Sequence, residues 1–166
     1  MEAKVILRTA TDTDSAALSR LAMISKAYWG YDADFMQACI PALTITPEFL
    51  AHHHVVLAEY QWVGTPKTLG FYALSKDRPE AAIEHCFVNP AWIGKGIGTL
   101  LWRDMKCYAL SEAKTGLTVT ADPNAAEFYR RMGMTDAGTE PSDIFGPQRQ
   151  LPVLKETLTA PNGQKK

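Results

Sequence analysis

The chain has 166 residues, 46% of them apolar and 10% aromatic, with 17 lysines and arginines set against 18 aspartates and glutamates and a formal charge of -1. That length and apolar content suit one domain with a sizeable core, and the balanced charge excludes a long-range electrostatic hold on nucleic acid or on an anionic membrane. No apolar stretch approaches the roughly 18–20 residues needed to cross a bilayer, and the polar start MEAKVILRTATDTD has no signal-peptide core, which predicts a cytoplasmic protein.

In chain order, Lys4 to Arg8 (KVILR) reads as a first strand. The TDTD that follows offers side-chain oxygens to cap a helix start, and Ala17, Leu21 and Ile24 recur at helical spacing. That helix fades near AYWGYD, at Gly30. Asp32 then caps a second helix, ADFMQACI, ended by Pro41, and Thr46 with Pro47 opens a third, PEFLAHH.

From His54 the character changes. HVVLAEY, TLGFYALS and AAIEHCFV are rich in β-branched and aromatic residues and are separated by turn signals at GTPK and KDRP, which predicts an antiparallel meander of three strands. A glycine-rich segment, WIGKGIGTLLW, follows; Leu101, Met105 and Tyr108 then carry a helix to about Lys114, short of Gly116. LTVTA is the next strand. Asp122 and Pro123 form a cap and first turn for NAAEFYRRM, with Ala125, Phe128, Tyr129 and Met132 on one face and Gly133 ending it. A further strand lies near QRQLPVL. The reading is a single domain over residues 1–158 with a flexible tail over 159–166, TAPNGQKK.

Cys39, Cys86 and Cys107 are odd in number, far apart and without a CxxC pair, and each stands in apolar sequence. They predict reduced, packed thiols rather than a disulfide framework or a zinc site. His52, His53 and His54 are adjacent, so their side chains diverge, and no Cys or carboxylate is spaced to complete a metal site. They read as a polar helix-to-strand junction, and no metal is expected.

The glycines of WIGKGIG raise the question of what approaches the backbone there. A P-loop needs GxxxxGK followed by Ser or Thr, but Lys95 is followed by Gly96. A dinucleotide fingerprint needs a third glycine where Thr99 stands, and would come early in the chain. What remains is a run of unobstructed N–H groups at a helix start, a concave donor surface suited to a pyrophosphate. The alternative is a tight strand-to-helix turn with no ligand.

FVNPAWIGKGIGTLLW followed about 25 residues later by ADPNAAEFYRRMGM resembles the two signature segments of the GNAT superfamily of acetyl-CoA-dependent N-acetyltransferases, and the element order of residues 4–155 is similar to that family's. The resemblance implies an α/β fold of the α+β kind, a central mixed, mostly antiparallel sheet flanked by helices, with a splayed strand pair that binds acetyl-CoA. It implies transfer of an acetyl group to a primary amine of a small molecule or peptide by direct attack, with no metal, and a homodimer as the common assembly. The other function carried forward is a non-catalytic acyl-CoA-binding or sensing module.

The family's loop, Arg or Gln, two residues, Gly, one residue, Gly or Ala, maps onto Ile93, Gly94, Lys95, Gly96, Ile97 and Gly98, with Thr99 in the first helical turn. Ile93 departs from it: the backbone donors remain while one polar side-chain contact is lost, with Lys95 as partial compensation. Phe87 and Val88 match the splayed strand, and Asn124 matches a residue that bonds the pantetheine chain. Tyr129 matches the family's tyrosine that protonates the CoA sulfur; its competing reading is a core aromatic. By period-two alternation Glu84 shares a face with Cys86 and Val88, which makes it the general-base candidate against a salt-bridged carboxylate. Cys86 has no identifiable partner base and reads as core. On the acceptor side the candidates are Trp29 and Tyr31, whose aromatic faces together with Asp32 and Asp34 suit a cationic amine or form an ordinary hydrophobic anchor, and His85, which points away from Glu84 and for which a packed or hydrogen-bonded core histidine is the favoured reading.

Overall fold

The computed structural model describes residues 4–144, 146 and 148–159. Most of the expected tail over 159–166 therefore lies outside the described residues. Seven strands, β1 (Lys4–Thr9), β2 (His53–Gln61), β3 (Lys67–Ser75), β4 (Glu80–Val88), β5 (Gly116–Thr120), β6 (Thr135–Pro141) and β7 (Gln150–Thr157), form one sheet in the order β1-β2-β3-β4-β5-β7-β6. Every neighbouring pair is antiparallel except β4 with β5, which is parallel. The helices are α1 (Ser15–Ala27), α2 (Ala33–Leu43), α3 (Pro47–His52), α4 (Ile97–Ser111) and α5 (Ala126–Arg131). This is the mixed, mostly antiparallel α/β architecture expected from the sequence, and the meander β2-β3-β4 is in it. Among the described residues no helix is long and apolar enough to cross a membrane.

Strand alternation divides the core in two. Val55 and Leu57 point with Phe71 and Ala73 toward α1 and α2, where Leu18, Ala22, Phe35 and Cys39 meet them. Val56, Ala58, Tyr72 and Leu74 point the other way, toward Leu101, Met105 and Ala109 of α4 and Ala126 and Tyr129 of α5. Gly70 lets α4 come down onto the sheet: a Cβ there would stand 2.7 Å from the carbonyl oxygen of Phe87 and 3.1 Å from Leu101 Cδ1. Backbone cannot yield as a flexible side chain can, so Gly70→Ala is expected to cost about 2 kcal/mol, read as a lowered urea midpoint with the slope unchanged.

Several local expectations are corrected. The buried stripe of α1 is Leu18, Leu21 and Ala22, one residue round from the expected Ala17, Leu21 and Ile24, and Ile24 is 56% exposed; two apolar stripes overlap in this segment, and packing on the sheet selects between them. Pro41 does not end α2, which continues to Leu43. A proline in the last turn removes only one backbone bond, Thr44 Oγ1 donates to the Ile40 carbonyl at 2.7 Å, and the buried Leu43 anchors the end. Helix α4 stops at Ser111 rather than near Lys114, because Ala113 takes the left-handed conformation at φ 53° and Lys114 N–H turns back to the Ala109 carbonyl at 2.9 Å. Cys107, expected to be packed, is exposed on α4. Strand β6 was not read from the sequence: its residues are all exposed and carry no alternating apolar pattern, and the ladder with β7 supplies its order.

The caps expected at Asp32 and Thr46 are present, accepting from Phe35 N–H at 2.8 Å and Phe49 N–H at 3.0 Å. Asp122 does not cap α5 directly. Its backbone carbonyl accepts from Ala125 and Ala126 at 2.8 and 3.1 Å, and its carboxylate accepts from Asn124 N–H at 2.8 Å, making a turn over 122–125 that delays the helix to Ala126.

Candidate active-site cleft

Strands β4 and β5 pair only from Glu80 to Ala82 against Gly116 to Thr118. Beyond that point β4 runs on to Val88 with no strand partner on its β5 side among the described residues, and the gap opens into a cleft of about 550 Å³. That volume lies in the range of small-molecule and cofactor sites. Cys86, Phe87 and Val88 form one wall, the turn and helix bearing Asn124, Phe128 and Tyr129 form the other, and the glycine segment closes one end.

The glycine end is built for close approach. Gly94 and Gly96 have φ of 77° and 85°, left-handed values that favour glycine, and nothing lies within 4 Å of where a Cβ would stand on either. Within α4 the first ladder bond is Leu100 N–H to the Gly96 carbonyl at 3.0 Å. Among the described residues no acceptor is recorded for the N–H groups of Gly94, Gly96, Ile97, Gly98 and Thr99. Such a row at the positive end of a 15-residue helix fits a pyrophosphate. Gly98 has a different function: a Cβ there would meet the Phe128 ring at 3.0 Å, so it seats α4 against α5. Ile93 lines the cleft and is 44% exposed. Lys95 turns its ammonium over the Trp92 ring, 5.0 Å from the centroid, and Ile97 is buried in the core; neither side chain lines the cleft.

Tyr129 reaches the cleft from α5, its ring set edge-on against Trp102 and Phe128 and only 5% exposed. The Cys86 thiol neighbours its hydroxyl. Burial, and then the neighbouring Cys86, hold the phenol well above its ordinary range. Burial likewise pushes the Cys86 thiol up to about 12. Both groups are therefore protonated at neutral pH.

Away from the glycines, four side chains gather around Asp122. Lys26 of α1 donates to its carboxylate at 2.5 Å, Tyr31 Oη at 2.8 Å, and the Asn124 side-chain amide at 3.0 Å. Arg149 donates to Tyr31 Oη at 3.0 Å and stands 3.8 Å from the same carboxylate. Hydrogen bonding and charge from Lys26 outweigh burial and keep Asp122 below the usual carboxylate range. Lys26, Asp122, Asn124 and the expected Trp29 line the cleft; Tyr31 stands behind them. Lys26 and Arg149 were not anticipated. They lie 96 and 27 positions from Asp122 in the chain, and no local sequence pattern links them to it.

Two predicted residues stand elsewhere. A bulge leaves Glu84 without a partner between His85, opposite Ala73, and Ile83, opposite Leu74. The bulge interrupts the alternation that placed Glu84 with Cys86: Ala81 and Ile83 already pack in the same core half as Cys86 and Val88. The Glu84 side chain is 37% exposed, 3.8 Å from Arg78, and is not part of the cleft lining. His85 points to the other face, as expected, among Phe49, Phe71 and Phe87. Burial, and then His53, lower it to about 4.

That shift has a sign. Because the folded chain holds His85 neutral while the unfolded chain protonates near the ordinary 6.5, the unfolded state binds more protons between the two values. The stabilisation is complete above about pH 6.5 and is lost as pH falls toward 4. His54 is shifted in the same direction by burial. Thermal melts across this window are expected to fall on acidification, and His85→Phe to remove most of the slope.

Among the described residues no group of three or more His, Cys, Asp or Glu side chains is placed to hold a metal ion. His52 and His53 are instead bonded to backbone carbonyls of α3, at 2.8 and 2.9 Å.

Residues 35–143 match the family model described as an acetyltransferase (GNAT) domain. Among solved structures, a GCN5-related N-acetyltransferase from Rhodopseudomonas palustris is 22% identical, with 92% of this chain and 95% of that one covered and a TM-score of 0.74. The PaiA N-acetyltransferase of Thermoplasma acidophilum, solved in complex with coenzyme A, is 12% identical over 93% of this chain and 99% of its own, with a TM-score of 0.75. The yncA protein of Salmonella typhimurium, solved with acetyl-CoA, is 19% identical over 96% and 99%, with a TM-score of 0.64. At these identities the likeness concerns the fold.

Proposed function

We propose a function from one premise: the chain belongs to the GNAT acetyltransferase family. The proposed activity is N-acetylation, the transfer of an acetyl group from acetyl-CoA to a primary amine of a small molecule or peptide, in the cytoplasm. The observation that carries it is the single cleft that joins the row of unused N–H groups, the splayed end of β4 and the buried Tyr129.

Acetyl-CoA supplies a thioester, whose acyl carbon takes the amine nitrogen as the C–S bond breaks. In the proposed arrangement the N–H groups of Gly94, Gly96, Ile97, Gly98 and Thr99 hold the pyrophosphate, and Asn124 bonds the pantetheine chain. Main-chain groups of the unpaired stretch of β4, at Phe87 and Val88, orient the acyl end. Tyr129 gives a hydrogen bond to the sulfur as negative charge develops there. The amine must lose its proton. Glu84 stands outside the lining, so that proton is assigned to solvent.

The test is thiol release from acetyl-CoA against amino acids, polyamines, aminoglycosides and peptide amines. At least one amine is expected to give release with matching acetylated product. Binding of CoA with no turnover on any of them would return the chain to a non-catalytic acyl-CoA-binding module.

A further inference from the structure

Trp29 lines the cleft, but the two carboxylates that suggested a cationic acceptor are placed elsewhere. Asp32 spends a carboxylate oxygen on the α2 cap, and Asp34 is exposed and does not line the cleft. Asp122 does line it, but its Oδ1 accepts from the backbone and side chain of Asn124, and its Oδ2 accepts from Lys26 and Tyr31. Four donors fill it, which leaves little capacity for an incoming ammonium.

The unspent polarity around Asp122 is positive. Two cations, Lys26 and Arg149, share that one carboxylate. The Lys26 ammonium carries three N–H donors, and among the described residues its one recorded acceptor is Asp122. Its side chain is 14% exposed and lines the cleft beside Ser25 and Trp29. Arg149 packs over the Tyr31 and Phe35 rings from behind and adds its charge without entering the cleft.

We propose that the acceptor is an amine that also carries a carboxylate, an amino-acid-like molecule, and that Lys26 determines this specificity by donating to that carboxylate. The proposal rests on the acetyltransferase reading and names its substrate class. It agrees with the chemistry of the step: nearby cations disfavour an ammonium and favour the neutral amine that must attack, while the carboxylate answers the surplus charge in a site where charge-assisted hydrogen bonds are strong.

The experiment measures kcat/KM for L-amino acids of several side-chain classes, each paired with its carboxamide, for the parent, Lys26→Met and Lys26→Arg, with circular dichroism melts to verify that each variant folds. The same pairs are titrated calorimetrically into CoA-saturated protein. The parent is expected to favour the carboxylate by about tenfold or more, Lys26→Met to bring the ratio near one, and Lys26→Arg to restore most of it. A parent ratio near one, or a ratio that Lys26→Met leaves unaltered, would overturn the proposal while leaving acetyl transfer intact. If no amine turns over, the acetyltransferase reading fails and the titration decides: carboxylate-selective binding lost in Lys26→Met upholds the specificity of the cleft, and unselective or absent binding overturns it.

Discussion

Replacing Tyr129 by phenylalanine is expected to lower kcat for acetyl transfer about 10²–10³-fold while leaving affinity for acetyl-CoA within a few-fold of the parent. The ring packs against Trp102 and Phe128, contacts that phenylalanine keeps, so the fold and the cleft wall persist. What is lost is one O–H. Burial makes that hydroxyl a reluctant acid, since it raises the phenol well above its ordinary range. The group therefore acts best as a fixed donor that follows charge onto the departing sulfur, without complete proton loss before the bond breaks. An interaction of that kind belongs to the transition state and appears in kcat. Steady-state kinetics beside calorimetric CoA binding make the check. A loss of CoA affinity at unchanged kcat would return Tyr129 to the role of a core aromatic.

The double variant Gly94→Val/Gly96→Val is expected to weaken CoA binding by about 10²-fold or more, because each left-handed position costs an L-residue about 1–2 kcal/mol. Both glycines have φ near +80°, and a Cβ on either meets open space. The fold is thus spared a clash, and the penalty falls on the loop conformation and on the face an anion must approach. Gly98→Ala is the contrasting control: its Cβ meets Phe128 at 3.0 Å, so the effect should appear in stability first. Calorimetric titration of CoA with parallel melts separates the two. Unchanged affinity in the double variant would mean the phosphates bind elsewhere.

These two predictions draw on residues legible in the sequence itself, and the reason is local. Glycines at alternate positions before a helical apolar run, and FYRR after a capped turn, are contiguous signals whose geometry is fixed within a few residues. The meander of β2, β3 and β4 was legible for the same reason, each strand carrying its own alternation and turn.

What was illegible depends on distance in sequence or on a break in periodicity. The bulge at Glu84 has no local mark, yet it interrupts the alternation on which that residue's facing was inferred. Strand β6 is exposed throughout and owes its order to β7. The aromatic and acidic residues of AYWGYD suggested a home for a cation, but Asp32 is used by a helix cap and Tyr31 Oη by Asp122, and the charge left over comes from Lys26 and Arg149, which only the fold brings together. Composition in AYWGYD put one residue, Trp29, in the cleft lining, whereas the state of the charged groups beside it depends on contacts distant in sequence.

The central claim is direct transfer within the β4–β5 cleft, and the fate of a labelled acetyl group in a single turnover tests it most directly. With labelled acetyl-CoA and an amine that turns over, the label is expected on the amine nitrogen, one per CoA thiol released, with none on the protein at any time. Label on a protein thiol such as Cys86, or recovered as free acetate while the amine stays unmodified, would contradict it.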